Sequence, residues 1–205
     1  MTRSRNALPA FLLVVLSLLL SACSLPRAES PTLFDLGPLR ADAAAPTLPA
    51  LPPLAVADIS APGWLERPLM YFRLNYENDQ NPRPYAHSRW TMPPAQLIAQ
   101  RLKWRITQAG GVALSASDGA FDVPVLRIET DDFTQCFDSP NRSVGQVVLR
   151  ASVFRGHTLL GQKTFTRQAP APTPNAEGGA RALATASDVA IADMMQWLAG
   201  LPLKQ

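Results

Sequence analysis

The chain has 205 residues, enough for one ordinary domain with a single core plus a tail. Its 19 Lys and Arg outnumber its 16 Asp and Glu, but Arg3 and Arg5 precede every acid, so from residue 23 onward 17 bases face 16 acids. That near-neutral balance, with the bases scattered rather than clustered, argues against nucleic acid as a partner.

Behind Arg3 and Arg5 lies an apolar run from Ala10 to Leu20, broken only by Ser17. A basic start, a short apolar stretch and small residues at a cut are the layout of a secretory signal. The run holds about a dozen residues, where a membrane-spanning helix needs roughly 20. The tetrapeptide Leu20-Ser21-Ala22-Cys23 resembles the lipobox of bacterial lipoproteins, whose thiol receives a diacylglycerol before cleavage on its N-terminal side. The resemblance implies a signal peptide over 1–22 and a lipidated Cys23, carrying acyl chains such as palmitate, that anchors the chain without spanning the membrane. Ser24, in place of Asp, implies by the same resemblance the inner, periplasm-facing leaflet of the outer membrane. With Cys23 acylated, Cys136 has no partner in its own chain. It is expected to be a small buried apolar residue, the other use being a disulfide between chains.

Residues 23–50 are dominated by Pro and Ala and read as a tether, reaching at most roughly 100 Å at about 3.3 Å per residue. Its apolar island, Phe34-Asp35-Leu36, can dock onto the domain as an edge strand. The folded domain is expected over 51–205. It opens with a strand pattern, Leu54 to Ile59, and a turn at Ala61-Pro62-Gly63. Trp64-Leu65 and an aromatic strand, Leu69 to Leu74, follow. Glu77 to Pro84 reads as a polar loop, and Tyr85 to Trp90 as an extended piece leading into a helix.

Thr91 or Met92 caps that helix, and Pro93-Pro94 sit in its first turn, where a missing N–H costs nothing. Leu97, Ile98, Leu102, Ile106 and Ala109 recur at helical spacing, with Gln100, Arg101, Lys103 and Gln108 facing away. Gly110-Gly111 ends it. Four strands are predicted next: Val112 to Ala116, Asp122 to Asp131, Gly145 to Phe154 and Thr158 to Arg167. In the third, Val147, Leu149, Ala151 and Val153 share a face opposite Gln146, Arg150 and Ser152. Arg155-Gly156-His157 joins the last two as a hairpin. A Pro-rich break from Gln168 to Asn175 precedes a second helix, about Glu177 to Ala199. Its buried face is Ala180, Leu183, Ala184, Ser187, Ile191, Met194, Met195 and Leu198. The expectation is a single compact α/β domain: a mixed β-sheet packed by two main helices, in the order three strands, helix, four strands, helix.

Little chemistry is on offer. His157 falls in the hairpin turn. His87 and Ser88 are adjacent in an extended segment and point to opposite faces, so they cannot pair as base and nucleophile. Asp131, Asp132 and Asp138 lack the ligand spacing of a calcium loop and read as a solvated strand end. No catalytic residue, cofactor site or metal site is expected.

Several stretches together are similar to the ABC-type transport auxiliary lipoproteins of the PqiC-like kind. They are Phe34-Asp35-Leu36 behind the lipobox, Trp64-Leu65 with Leu69-Met70-Tyr71-Phe72-Arg73, and Arg89-Trp90 followed by Pro93-Pro94 and Leu97. The resemblance implies a non-enzymatic component of an envelope lipid-transport system. Its partner would be an MCE-domain periplasmic protein of an ABC transporter, and it leaves room for homo-oligomers through a sheet edge or helix face. Arg89 and Trp90 are then either partner contacts or structural residues. A Pro-rich tether ahead of a small α/β domain would also suit an outer-membrane lipoprotein that activates a cell-wall synthase.

Overall fold

The structure, a computed structural model, describes residues 30–38, 49–119 and 122–203. Cys23, the signal over 1–22 and most of the tether lie outside the described residues. Eight strands and two helices follow one another as β1 (Thr32–Phe34), β2 (Leu54–Val56), β3 (Leu69–Leu74), β4 (Asn78–Trp90), α1 (Pro94–Gln108), β5 (Ala113–Ser115), β6 (Val125–Ser139), β7 (Arg142–Arg155), β8 (Thr158–Pro170) and α2 (Ala176–Ala199). The mixed sheet with two helices is as expected from the sequence, with β1 added ahead of the predicted order.

β6 is the spine of the sheet. Along one edge it pairs antiparallel with β7, which pairs in turn with β8. Along its other edge, its start lies parallel to β2 and its end parallel to β3. Through β2 the sheet continues to β5, and through β3 and β4 it reaches β1. The β7–β8 hairpin turns through Gly156, at φ +55°.

Three stretches differ from the sequence reading. Asn78 to Pro84 is not a loop but the first half of β4, paired with β3 through Phe72 with Arg83 and Leu74 with Asn78. This part of β4 lies at the rim and is mostly exposed, so it never had to carry the apolar alternation that marks a half-buried strand. Pro82 and Pro84 are tolerated there, away from the sheet centre. Asp131 and Asp132 do not end a strand either. Thr130 pairs with Leu149 and Asp132 with Val148, so Asp131 is the extra residue of a bulge and β6 continues to Ser139. The third difference is Arg101, expected to face solvent, which is only 7% exposed.

Both helices lay apolar faces into the core. Ile98, Leu102 and Ile106 of α1, which lies over β5 and β6, and Leu183, Ile191, Met194, Met195 and Leu198 of α2, which lies over β7 and β8, are fully buried in one cluster with Val147, Leu149, Ala151 and Val153 of β7. α1 starts one residue after the expected cap, with Pro93 at N-cap and Pro94 at N1. At its other end the Gly111 N–H bonds Ile106 O at 2.9 Å and the Gly110 N–H bonds Thr107 O at 3.0 Å, with Gly110 at φ +81°. These are the two bonds of a Schellman ending. α2 is capped by the Asn175 side chain, which accepts from the Gly178 N–H at 2.9 Å. It passes so close to β7 that a Cβ on Gly145 would lie 2.5 Å from the Leu183 nitrogen.

Candidate functional site

The residues singled out by sequence meet where the N-terminal segment joins the sheet. Between the pairs Leu69–Arg89 and Tyr71–Pro84 the β3–β4 register shifts, and Tyr85 to Ser88 bulge out of the ladder. A bulge leaves carbonyls without ladder partners. Arg89 folds back over it, its Nη1 donating to the carbonyl oxygens of Tyr85 and Ser88. Trp90 turns inward, 1% exposed, and meets Phe133 edge to face at a centroid distance of 5.3 Å. The strand edge so presented takes β1 in parallel, Thr32 beside Ser88, Leu33 beside Arg89 and Phe34 beside Trp90. The Thr91 N–H then bonds Phe34 O at 2.8 Å.

Past β1 the chain is fastened a second time. Asp35 Oδ1 accepts from the Gly37 N–H at 2.7 Å in a tight turn with Gly37 at φ +70°. This turn offers two successive carbonyls to Arg101. Arg101 Nη2 donates to Leu36 O and Nη1 to Gly37 O, each at 2.8 Å. The same guanidinium forks onto Asp188 of α2, through Nε at 2.9 Å and Nη2 at 3.1 Å. Arg105 stands 3.3 Å from the same carboxylate. One buried side chain thus ties three separate parts of the chain: the N-terminal segment, α1 and α2. Between the two fastenings Leu36 is 6% exposed and joins the core, worth roughly 2 kcal/mol of burial.

Two grooves flank the docked segment. One, of about 540 Å³, is lined by Leu36, Pro38, Leu97, Lys103 and the half-exposed Trp104. The other, of about 920 Å³, is lined by Leu33, Arg105, Arg181, Asp188 and Val189. Their charged groups are largely spent on one another, since Arg181 pairs with Glu177 and Arg105 with Asp188.

The buried groups with reactive potential, Tyr85 and Cys136, are held by neighbouring side chains. Tyr85 donates its hydroxyl to Gln135 Oε1 at 2.8 Å, and Gln135 Nε2 donates to Ser143 Oγ at 2.8 Å. Burial pushes the Tyr85 hydroxyl far above its ordinary range, so it stays a neutral donor. Cys136 is 3% exposed. Burial pushes its thiol pKa up and the Asp132 charge adds to this, while a hydrogen bond with Thr134 opposes them. A protonated, buried thiol is a poor nucleophile. His87 is exposed on the bulge and His157 in the hairpin turn. Among the described residues no three His, Cys, Asp or Glu side chains are grouped to hold a metal, and no helix is long and apolar enough to cross a membrane.

Sequence reasoning missed Arg101 and Asp188. The signal was present. Arg101 stands three residues after Ile98 and directly before Leu102, a cation inside the apolar stripe. Asp188 sits beside Ser187 and three residues before Ile191, at the edge of the α2 stripe.

Comparison with known proteins places this arrangement. Residues 34–195 match the family model described as the ABC-type transport auxiliary lipoprotein component. A solved structure from Xanthomonas campestris, of the family model DUF330, is 16% identical and superposes with a TM-score of 0.62 over 82% of this chain and 92% of its own. An uncharacterized protein, 15% identical, does so with a TM-score of 0.61 over 83% and 99%. A hypothetical protein from Chlamydia trachomatis, at 8% identity, reaches 0.50 over 74% and 97%. At such identities the structures establish a shared fold. No curated protein matches the chain.

Proposed function

Because the chain belongs to the ABC-type transport auxiliary lipoprotein family, we propose that it is the non-enzymatic, lipid-anchored component of an envelope ABC/MCE-type lipid-transport system. It docks to a periplasmic MCE-domain protein from the inner leaflet of the outer membrane and supports outer-membrane integrity. The observation that carries this reading is where the motif residues are used. Phe34, Leu36, Arg89 and Trp90 hold the segment that leads from Cys23 onto the domain, and none of them positions a nucleophile, base or metal ligand.

The test uses the full-length chain, purified in mild detergent with the MCE protein encoded beside it. The two should co-elute, and the chain alone should hydrolyse neither esters nor glycans. Cys23→Ala should abolish fatty-acid labelling and envelope protection while leaving the domain folded. Loss of envelope integrity from His87→Ala, in a protein that still folds and binds, would reopen an enzymatic reading. Recovery of a cell-wall synthase in place of the MCE protein would favour the activator reading.

A further inference from the structure

We propose that the Arg101 latch sets the working length of the lipid tether, holding the domain close to the bilayer that carries its anchor. The inference rests on the reading of Cys23 as the lipidated residue. A chain paired with β4 from Thr32 to Phe34, and then gripped at Leu36 and Gly37, passes no slack from residues beyond Gly37 back to the anchor. Eight residues, Ser24 to Pro31, separate Cys23 from β1, and their contour is at most roughly 29 Å at about 3.6 Å per residue. Undocked, the segment as far as Ala50 would reach more than about three times as far.

The grip is built for this in three respects. The Asp35–Gly37 turn presents both carbonyls to one guanidinium. That guanidinium is 7% exposed and anchored on the far helix by Asp188, so it does not swing with the segment. Each end of the short strand is also held, by β4 pairing before Leu36 and by Arg101 after it. A passive linker needs none of these, and burying an arginine is costly unless every bond it makes is used. Reach across the envelope must then come from the partner, which has to approach the outer membrane rather than be met midway.

The experiment is an insertion pair in the full-length, lipidated protein, on vesicles of phosphatidylethanolamine and phosphatidylglycerol. A fluorophore on Thr164→Cys, on the exposed strand β8, reports energy transfer to a headgroup dye. A flexible insert of about 20 residues between Glu29 and Ser30 should lower transfer roughly threefold, because it lengthens the chain between Cys23 and β1. The same insert between Ala44 and Ala45 should leave transfer unchanged, because it lies beyond the latch. On an Arg101→Ala background the second insert should also lower transfer. Equal responses to the two inserts in the wild-type latch would overturn the proposal. Failure of the full-length protein to stay on vesicles, or retention of Cys23→Ala there, would overturn the anchor reading on which it stands, a result distinct from equal insert responses.

Discussion

Arg101→Ala is the most direct probe of the dock. It deletes two bonds to backbone carbonyls and a forked pair with Asp188. Breaking a fully buried ion pair costs about 3–5 kcal/mol, and single hydrogen bonds to charged groups about 1.5–3 kcal/mol. The Asp188 side chain is 29% exposed and keeps Arg105 at 3.3 Å, so solvent and a second cation cushion the loss. We expect about 3 kcal/mol, which in a domain of this size lowers Tm by about 6–12 °C. Arg101→Lys keeps the charge without the fork and should cost about half as much. The assay is thermal and urea denaturation of the soluble domain beginning at Ser24. A second domain beginning at Leu39 lacks the docked strand, so there Arg101→Ala should lose only its Asp188 share, again about half. A melting temperature within about 1 °C of wild type, or an identical cost in both domains, would refute the assignment of Arg101 as the latch.

Two further outcomes follow from the core. Leu102→Asp and Leu198→Asp each place a carboxylate at a fully buried site and should each cost about 3–5 kcal/mol, seen as a lower urea midpoint; an unchanged midpoint in both would mean the helix faces are misassigned. Cys136, held protonated by burial, should resist maleimide at pH 8 in the native protein and react fully in denaturant. Because the native thiol pKa lies above the unfolded one, its contribution to stability is whole below the unfolded pKa and is lost as pH rises through the native value. The urea midpoint should therefore decline on the alkaline side only, and native labelling as fast as unfolded labelling would contradict the burial.

The elements legible in advance were those whose side chains face two different media. β7 alternates because one face meets α2 and the other water, and α1 and α2 carry apolar stripes ended by Gly110 and Gly200. The first half of β4 was not legible, because a rim strand exposed on both faces has the composition of a loop. The length of β6 was hidden by a bulge that places two successive aspartates where a strand was expected to stop. The candidate site was half legible. Phe34, Arg89 and Trp90 stood out as residue types, but their meeting depends on a register shift no local pattern encodes. Arg101 was lost because a cation on a helix is assigned to solvent by default. Its burial is explained only by Leu36, Gly37 and Asp188, which are 65, 64 and 87 residues away in sequence.

That separation also bears on what kind of function the fold serves. Two of the buried polar groups around the docked segment answer other groups of the domain. Gln135 is consumed by Tyr85 and Ser143, and Arg101 by two carbonyls and Asp188. Polar burial that ends in backbone carbonyls fixes position. The position Arg101 fixes is that of the N-terminal segment relative to the two helices. If the protein's task is to stand at a set distance from a membrane and present a surface, this is where polar burial should be concentrated. The same expenditure would be unaccountable in a domain that drifts freely on a long leash, so the Arg101→Ala measurement tests the fold and the purpose together.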